Sequence, residues 1–258
     1  MKKFIQTVYF FCFPLFLFAD SASSSFLEPY KEYLEEGTYQ GQDWSSFSIL
    51  PKSRYETFAF AFEKITKKRP LIVELGTSRS FTHGGHPGCN LSDPIFWTPN
   101  HPENWDWGAG FFTRMVSICL AHQEPEIHTV DLIRDHIERC KVMTSDYRNL
   151  ITYHVASSED FLSQCSFSRG IDLLYLDTGD MTPIEPTALL QLAEAKIIVQ
   201  RNLMTKGGIL LIDDVRNQTP KKFGEMSDLG KAKYSLPYLL QNGFELVMDE
   251  YQIVLRKL

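Results

Sequence analysis

Five short apolar runs, each closing on a polar or acidic residue, set the pattern of this chain. Leu71-Ile72-Val73-Glu74-Leu75 runs straight into Gly76-Thr77-Ser78-Arg79, and Ile127-His128-Thr129-Val130 closes on Asp131. Ile151–Val155 leads into Ala156-Ser157-Ser158-Glu159, Ile171–Leu176 into Asp177, and 208–212 into Asp213-Asp214. Runs of this length predict buried strands, and the helix-like segments between them, 111–122 among them, predict an alternation of strand and helix around a parallel sheet. All the polar closures then share one end of the sheet, the carboxyl end, where open α/β sheets bind ligands. Gly76 removes the side chain that would keep the backbone away from a cofactor. Asp131 falls where α/β nucleotide folds place the carboxylate that holds a pair of ribose hydroxyls. Ahead of the strands, 28–36 and 53–68 have helical spacing, and Phe58, Phe62 and Ile65 form an apolar stripe. A helical preface over 26–69 is expected, covering the sheet edge or the cavity mouth, with plain packing as its simplest role.

The order of these motifs resembles the class I S-adenosylmethionine-dependent methyltransferases, in particular the O-methyltransferase-like branch of the catechol and caffeoyl-CoA enzymes. In that family the first strand reads Glu-x-Gly-Thr-Ser-x-Gly, the second and fourth end in acids, and the fifth reads Gly-Gly-x-x-x-x-Asp-Asp or Asp-Asn. This chain has Glu74-Leu75-Gly76-Thr77-Ser78-Arg79-Ser80, Asp131, Asp177, and Gly207 to Asp214 with both acids in place. Gly243 to Val247 and Tyr251 to Leu255 are similar to the antiparallel pair that closes the family's sheet. The resemblance spans about residues 70–258 and implies a three-layer α/β/α Rossmann-like sandwich, mostly parallel and seven-stranded with an antiparallel last strand. It implies S-adenosylmethionine as cofactor, held by Glu74, Gly76, Thr77, Ser78 and Asp131, with Ser157 and Ser158 near the adenine; an ordinary helix cap is the competing account of the two serines. It also implies a small-molecule acceptor served by Asp177 and Asp214, and magnesium or another divalent cation on Asp177, Asp213 and Asp214. Against the metal stands the reading of these acids as turn caps.

Three departures bear on that expectation. Ser80 stands where the family has glycine, and Gly108-Ala109-Gly110 is the candidate to restore a close backbone approach at the amino end of the next helix. Asp180 stands where related enzymes often carry a lysine or histidine, so their base is not copied here. An insertion at about 82–107 holds His83, His86, Cys89, Asp93 and His101 among glycines, prolines and tryptophans. A substrate lid is favoured over a structural metal clip, since no second ligand pair has zinc spacing. Arg79 is suited to an anionic group of cofactor or substrate, or to a salt bridge within the lid. A nicotinamide-linked oxidoreductase would want Gly-x-Gly-x-x-Gly after the first strand, and only Gly76 is present there.

The remaining features set the context. With 258 residues and 43% hydrophobic content the chain supports one full core beyond a short leader. A net charge of −6 with no basic stripe speaks against a nucleic-acid partner. Met1-Lys2-Lys3, an apolar stretch to Ala19 and the small polar run from Asp20 read as a signal peptide over 1–21, implying export to the periplasm or beyond. An uncleaved membrane anchor is the alternative. Export conflicts with a cofactor made in the cytosol, which keeps a second reading in view: a secreted, non-catalytic binding protein on a decayed methyltransferase scaffold. Oligomeric state and acceptor are not encoded legibly.

Overall fold

The computed structural model describes residues 22–31, 54–77, 110–180, 183–215 and 229–258, with positions 34, 38–39, 42–43 and 99. The leader, Ser78, Arg79, Ser80 and the insertion apart from Pro99 lie outside the described residues. The main sheet has seven strands: β1 (Leu71–Leu75), β2 (Glu126–Asp131), β3 (Ile151–Val155), β4 (Ile171–Leu176), β5 (Met204–Ile212), β6 (Phe244–Asp249) and β7 (Ile253–Lys257). Their order is β3-β2-β1-β4-β5-β7-β6, parallel except for β7, which pairs antiparallel with both β5 and β6. This is the mixed, Rossmann-like sandwich that the strand rhythm and the family resemblance together imply. A two-stranded antiparallel pair, Thr38–Tyr39 with Gln42–Asp43, stands apart from it.

The helices are α1 (Ala22–Leu27), α2 (Tyr55–Lys64), α3 (Phe111–Leu120), α4 (Arg134–Met143), α5 (Ser158–Gln164), α6 (Ile184–Gln200) and α7 (Ser235–Gln241). The pleat sends alternate strand residues to opposite layers. Ile72, Leu173, Tyr175, Ile209, Leu211 and Val254 join Phe58, Phe62, Phe112 and Met115 on one face. Leu71, Val73, Leu75, Leu174, Leu176, Leu210 and Ile212 join Ala195, Ile198, Leu236 and Leu239 on the other. β1 and β4 are buried along their whole length, as central parallel strands covered on both faces must be.

Two boundaries differ from the pattern-based expectation. The first preface helix occupies 22–27 and tightens into a 3₁₀ turn at Glu28–Tyr30, where Pro29 takes an early position that lacks a helical donor. β5 starts at Met204, before the two glycines, with a register irregularity against β4 between Ile171 and Leu173. No helix among the described residues is long and apolar enough to cross a membrane.

Candidate active site

Backbone hydrogen bonds just past the strand ends draw the closing residues together. Gly76 N–H donates to the Val130 carbonyl (2.8 Å), Asp177 N–H to Leu75 (2.9 Å), Asp213 N–H to Leu176 (3.0 Å) and Ala156 N–H to Asp131 (3.0 Å). The lacing crosses β3, β2, β1, β4 and β5, so acids far apart in sequence open on one cavity of about 640 Å³. That volume is in the range of small-ligand and cofactor sites. Glu74, Gly76, Thr77, Asp131, Ser157, Ser158, Asp177, Asp213 and Asp214 all line it; of the expected site residues, Ser78 alone lies outside the described residues.

At the β1–β3 end, Glu74 is buried and its Oε2 accepts hydroxyl hydrogen bonds from Thr113, from Thr129 (2.6 Å) and from Thr77 (3.2 Å). Burial pushes its pKa up to about 7, while the three hydroxyls pull it down. Thr77 therefore lines the cavity with its hydroxyl committed to Glu74. Gly76 has φ +88°, and a Cβ there would lie 2.5 Å from the Asp177 carbonyl oxygen. The glycine is required by the turn packing against the end of β4, a different reason from the cofactor approach expected of it. Gly110 (φ +77°) likewise makes room for Cys140, at 2.6 Å from a would-be Cβ, where α3 meets α4.

Asp131, at the tip of β2, accepts from Ile133 N–H (2.8 Å) and from His136 Nδ1 (3.2 Å to each oxygen). These bonds fix its rotamer while the residue remains on the cavity wall. Ser157 caps α5, accepting from Asp160 N–H at 3.0 Å, so the cap account of this residue holds. The Thr178 hydroxyl donates to Glu194 Oε2 at 3.1 Å, and burial pushes this fully buried carboxyl up to about 7. The side chain of Ser157 is thus used within the protein even though both serines border the cavity.

At the β4–β5 end, the three acids converge with ligand oxygens within 4.8 Å of one another. Sequence reading did not foresee what meets them. Arg54, just ahead of α2, makes a bidentate pair with Asp213, Nε to Oδ1 at 3.0 Å and Nη2 to Oδ2 at 2.7 Å. Gln252 donates a further bond to Asp213 Oδ1 at 2.8 Å, and is itself held by Thr57. Lys231 bridges the other two acids, 2.9 Å from Asp177 Oδ1 and 2.8 Å from Asp214 Oδ2. Asp214 sits in the left-handed region at φ +54°, a conformation aspartate tolerates, and accepts from the Tyr251 hydroxyl. Burial pulls Lys231 down but Asp177, Asp214 and Asp213 raise it further, so it stays a cation. Burial pushes Asp177 up against the pull of Lys231, and Asp213 and Asp214 add to the rise.

This arrangement corrects the metal expectation. A hard divalent cation needs free carboxylate oxygens around it at about 2.0–2.6 Å. Both oxygens of the fully buried Asp213 are taken by Arg54 and Gln252, and an ammonium already bridges Asp177 and Asp214. The residues as arranged do not fit the ion. Beside them, Phe112 stacks on Tyr175 with ring centroids 4.3 Å apart, and Phe58 of α2 meets Tyr175 edge-on at 5.7 Å; all three line the cavity. One residue of the expected preface stripe, Phe58, is thus a wall of the site.

No protein-family model matches the chain, and no curated relative matches it. Solved structures share its fold at low identity. The chain is 12% identical to an rRNA methylase of Streptococcus thermophilus over 78% of this chain and 96% of that one, with a TM-score of 0.43. It is 16% identical to Aeropyrum pernix fibrillarin with natively bound S-adenosylmethionine, over 77% and 74% of the two chains (TM-score 0.44). It is 12% identical to the S-adenosylhomocysteine-bound Podospora anserina methyltransferase PaMTH1, over 79% and 77% (TM-score 0.49). These likenesses concern the fold alone. The exclusion of nucleic acid drawn from net charge does not stand, and an rRNA methylase is among the proteins of similar fold. The physical reason is that a charge summed over the whole chain does not describe the surface around one cavity.

Proposed function

We propose that this chain transfers a methyl group from S-adenosylmethionine to an oxygen of a small acceptor. The observation that carries the reading is that Asp131 and the Asp177–Asp214 cluster open on one cavity at the carboxyl edge of the sheet. The first end offers a preset carboxylate of the kind that holds ribose hydroxyls, and the second offers charged groups for an acceptor. When bound, the cofactor supplies an electrophilic methyl carbon on a sulfonium. The chain's own work is then alignment and proton handling. Phe58, Phe112 and Tyr175 give a flat wall against which a planar acceptor is oriented. Asp177 is the cluster acid most open to the cavity, with a third of its side chain exposed, and its raised pKa suits it to take the acceptor's hydroxyl proton. Asp214 keeps Lys231 in place beside it.

Calorimetry with S-adenosylhomocysteine tests this reading. One site per chain, weakened about ten- to a hundredfold by Asp131→Ala, is expected for a charge-assisted pair of bonds to ribose. No binding to the folded protein would favour the decayed-scaffold alternative. Product formation on RNA but not on small hydroxylated compounds would move the acceptor class. Export is part of the same proposal: the mature chain is expected to begin near Ala22, and intact-mass measurement on protein from its native host decides it, a full-length mass rejecting cleavage.

A further inference from the structure

We propose that the Lys231 ammonium is the resident cation at the acceptor end of this cavity, occupying the place a divalent metal would take, so that the chain works without metal and hides a metal site that opens when Lys231 is removed. The inference deepens the methyl-transfer reading and rests on it for the role of the acceptor, but the geometry behind it is independent of that reading.

Among the described residues, three carboxylates meet two protein cations here. The two cations divide the work. Arg54 and Gln252 use up Asp213, which is fully buried and serves to lock the preface to β5 and β7. Lys231 bridges the pair that faces the cavity, Asp177 and Asp214, at 2.9 and 2.8 Å, and Asp214 Oδ1 is also held by the Tyr251 hydroxyl. It is 2% exposed and yet lines the cavity, so the ammonium has exchanged its water for these two carboxylates. Two of its three N–H groups go to them, and among the described residues no other acceptor takes the third. That donor is available to an acceptor oxygen as its proton passes to Asp177, a stabilisation of developing negative charge that metal-dependent enzymes obtain from their ion.

Removing the ammonium takes one positive charge from between Asp177 Oδ1 and Asp214 Oδ2, which then face across the vacated space. Two carboxylates completed by water are a sufficient ligand set for a magnesium-like ion. The test titrates Mn²⁺ into full-length protein and follows the free-ion signal by electron paramagnetic resonance. The native protein is expected to bind none specifically, and its turnover or S-adenosylhomocysteine affinity to be unchanged by chelator. Lys231→Ala is expected to bind one Mn²⁺ with a dissociation constant of roughly 10⁻⁴ M, as weak carboxylate sites do, and Lys231→Ala/Asp177→Asn to lose it. Lys231→Met keeps the buried stem and serves if the alanine variant does not fold, while Lys231→Arg, which retains the charge, is expected to stay silent. Specific Mn²⁺ binding by the native protein that Asp177→Asn abolishes would overturn the proposal, as would a folded Lys231→Ala and Lys231→Met pair that binds none. Failure of S-adenosylhomocysteine to bind, with the Mn²⁺ results as expected, would instead remove the methyl-transfer reading and leave the lysine-for-metal exchange standing.

Discussion

The two ends of the cavity hold buried acids by opposite means. At the β1–β3 end Glu74 is surrounded by neutral hydroxyls from Thr77, Thr113 and Thr129, and its pKa rises to about 7. At the β4–β5 end Asp177, Asp213 and Asp214 are met by full charges, Lys231 and Arg54. Hydroxyls supply hydrogen bonds without repaying the charge; ammonium and guanidinium groups supply both, and even so burial pushes Asp177 up. The first end draws on Thr77 just past β1, Thr129 on β2 and Thr113 on α3, all within 55 residues of the acid. The second is assembled from segments 159 residues apart in the case of Arg54 and Asp213, and its stability depends on pairs that cannot be broken singly without cost.

The largest effect is therefore expected at the charged end. Arg54→Ala leaves Asp213 buried without its partner and is expected to destabilise the fold by about 3–5 kcal/mol, read from denaturant unfolding. Pairing it with Asp213→Ala should recover a large part of that loss. Additive losses in the two variants would mean that the pair is not coupled and that the contrast between the ends is mistaken.

Next comes Asp131, where the neutral end meets ligand. Asp131→Asn keeps the shape and removes the charge, and is expected to lower S-adenosylhomocysteine affinity by about 1.5–3 kcal/mol while Asp213→Asn changes it little. Equal effects from both would erase the division of the cavity into a cofactor end and an acceptor end.

Glu74 gives a smaller effect of opposite sign. Its pKa in the fold lies above the ordinary value of 4.5, so the folded chain holds this proton more tightly than the unfolded one. The associated stability is complete below about pH 4.5 and is lost as pH rises toward 7. Glu74→Gln is expected to gain about 1–2 kcal/mol over the native chain at pH 8, less than the full conversion of the shift, and to flatten the fall across that window. Glu194, pushed up to about 7 in the same way, keeps part of the slope. Thermal unfolding at pH 5 and pH 8 checks this, and a loss of stability at pH 8 would show that the threonines need the carboxylate's charge. The smallest effect is expected of Ser157→Ala, about 1 kcal/mol for a lost cap, with little change in ligand affinity; a large affinity loss would restore a direct ligand role for that hydroxyl.

The same contrast explains what could be read from the chain alone. Strands that are buried on both faces announce themselves as apolar runs, and their closing residues share an end by topology, so Glu74, Asp131, Asp177 and Asp213-Asp214 were legible. Thr129, a polar residue inside a buried strand, was a signal of the Glu74 pocket that went unused. Arg54 and Lys231 carry no periodic signal: one precedes a packing helix and the other follows a long connection, and only the folded chain brings them to the acids. That is why acids alone suggested a metal, and why a charge summed over the whole chain does not decide partners. Gly76 and Gly110 also have a role that no pattern shows, since they make room for the Asp177 backbone and Cys140.

The measurement that bears most directly on the account is a crystal structure of the chain with S-adenosylhomocysteine and no added metal. The account predicts the ribose hydroxyls on Asp131, the sulfur directed toward the aromatic wall and Asp177, and Lys231 still bridging Asp177 and Asp214. A ligand seated elsewhere, or an adventitious divalent ion between Asp177 and Asp214 with Lys231 displaced, would contradict it.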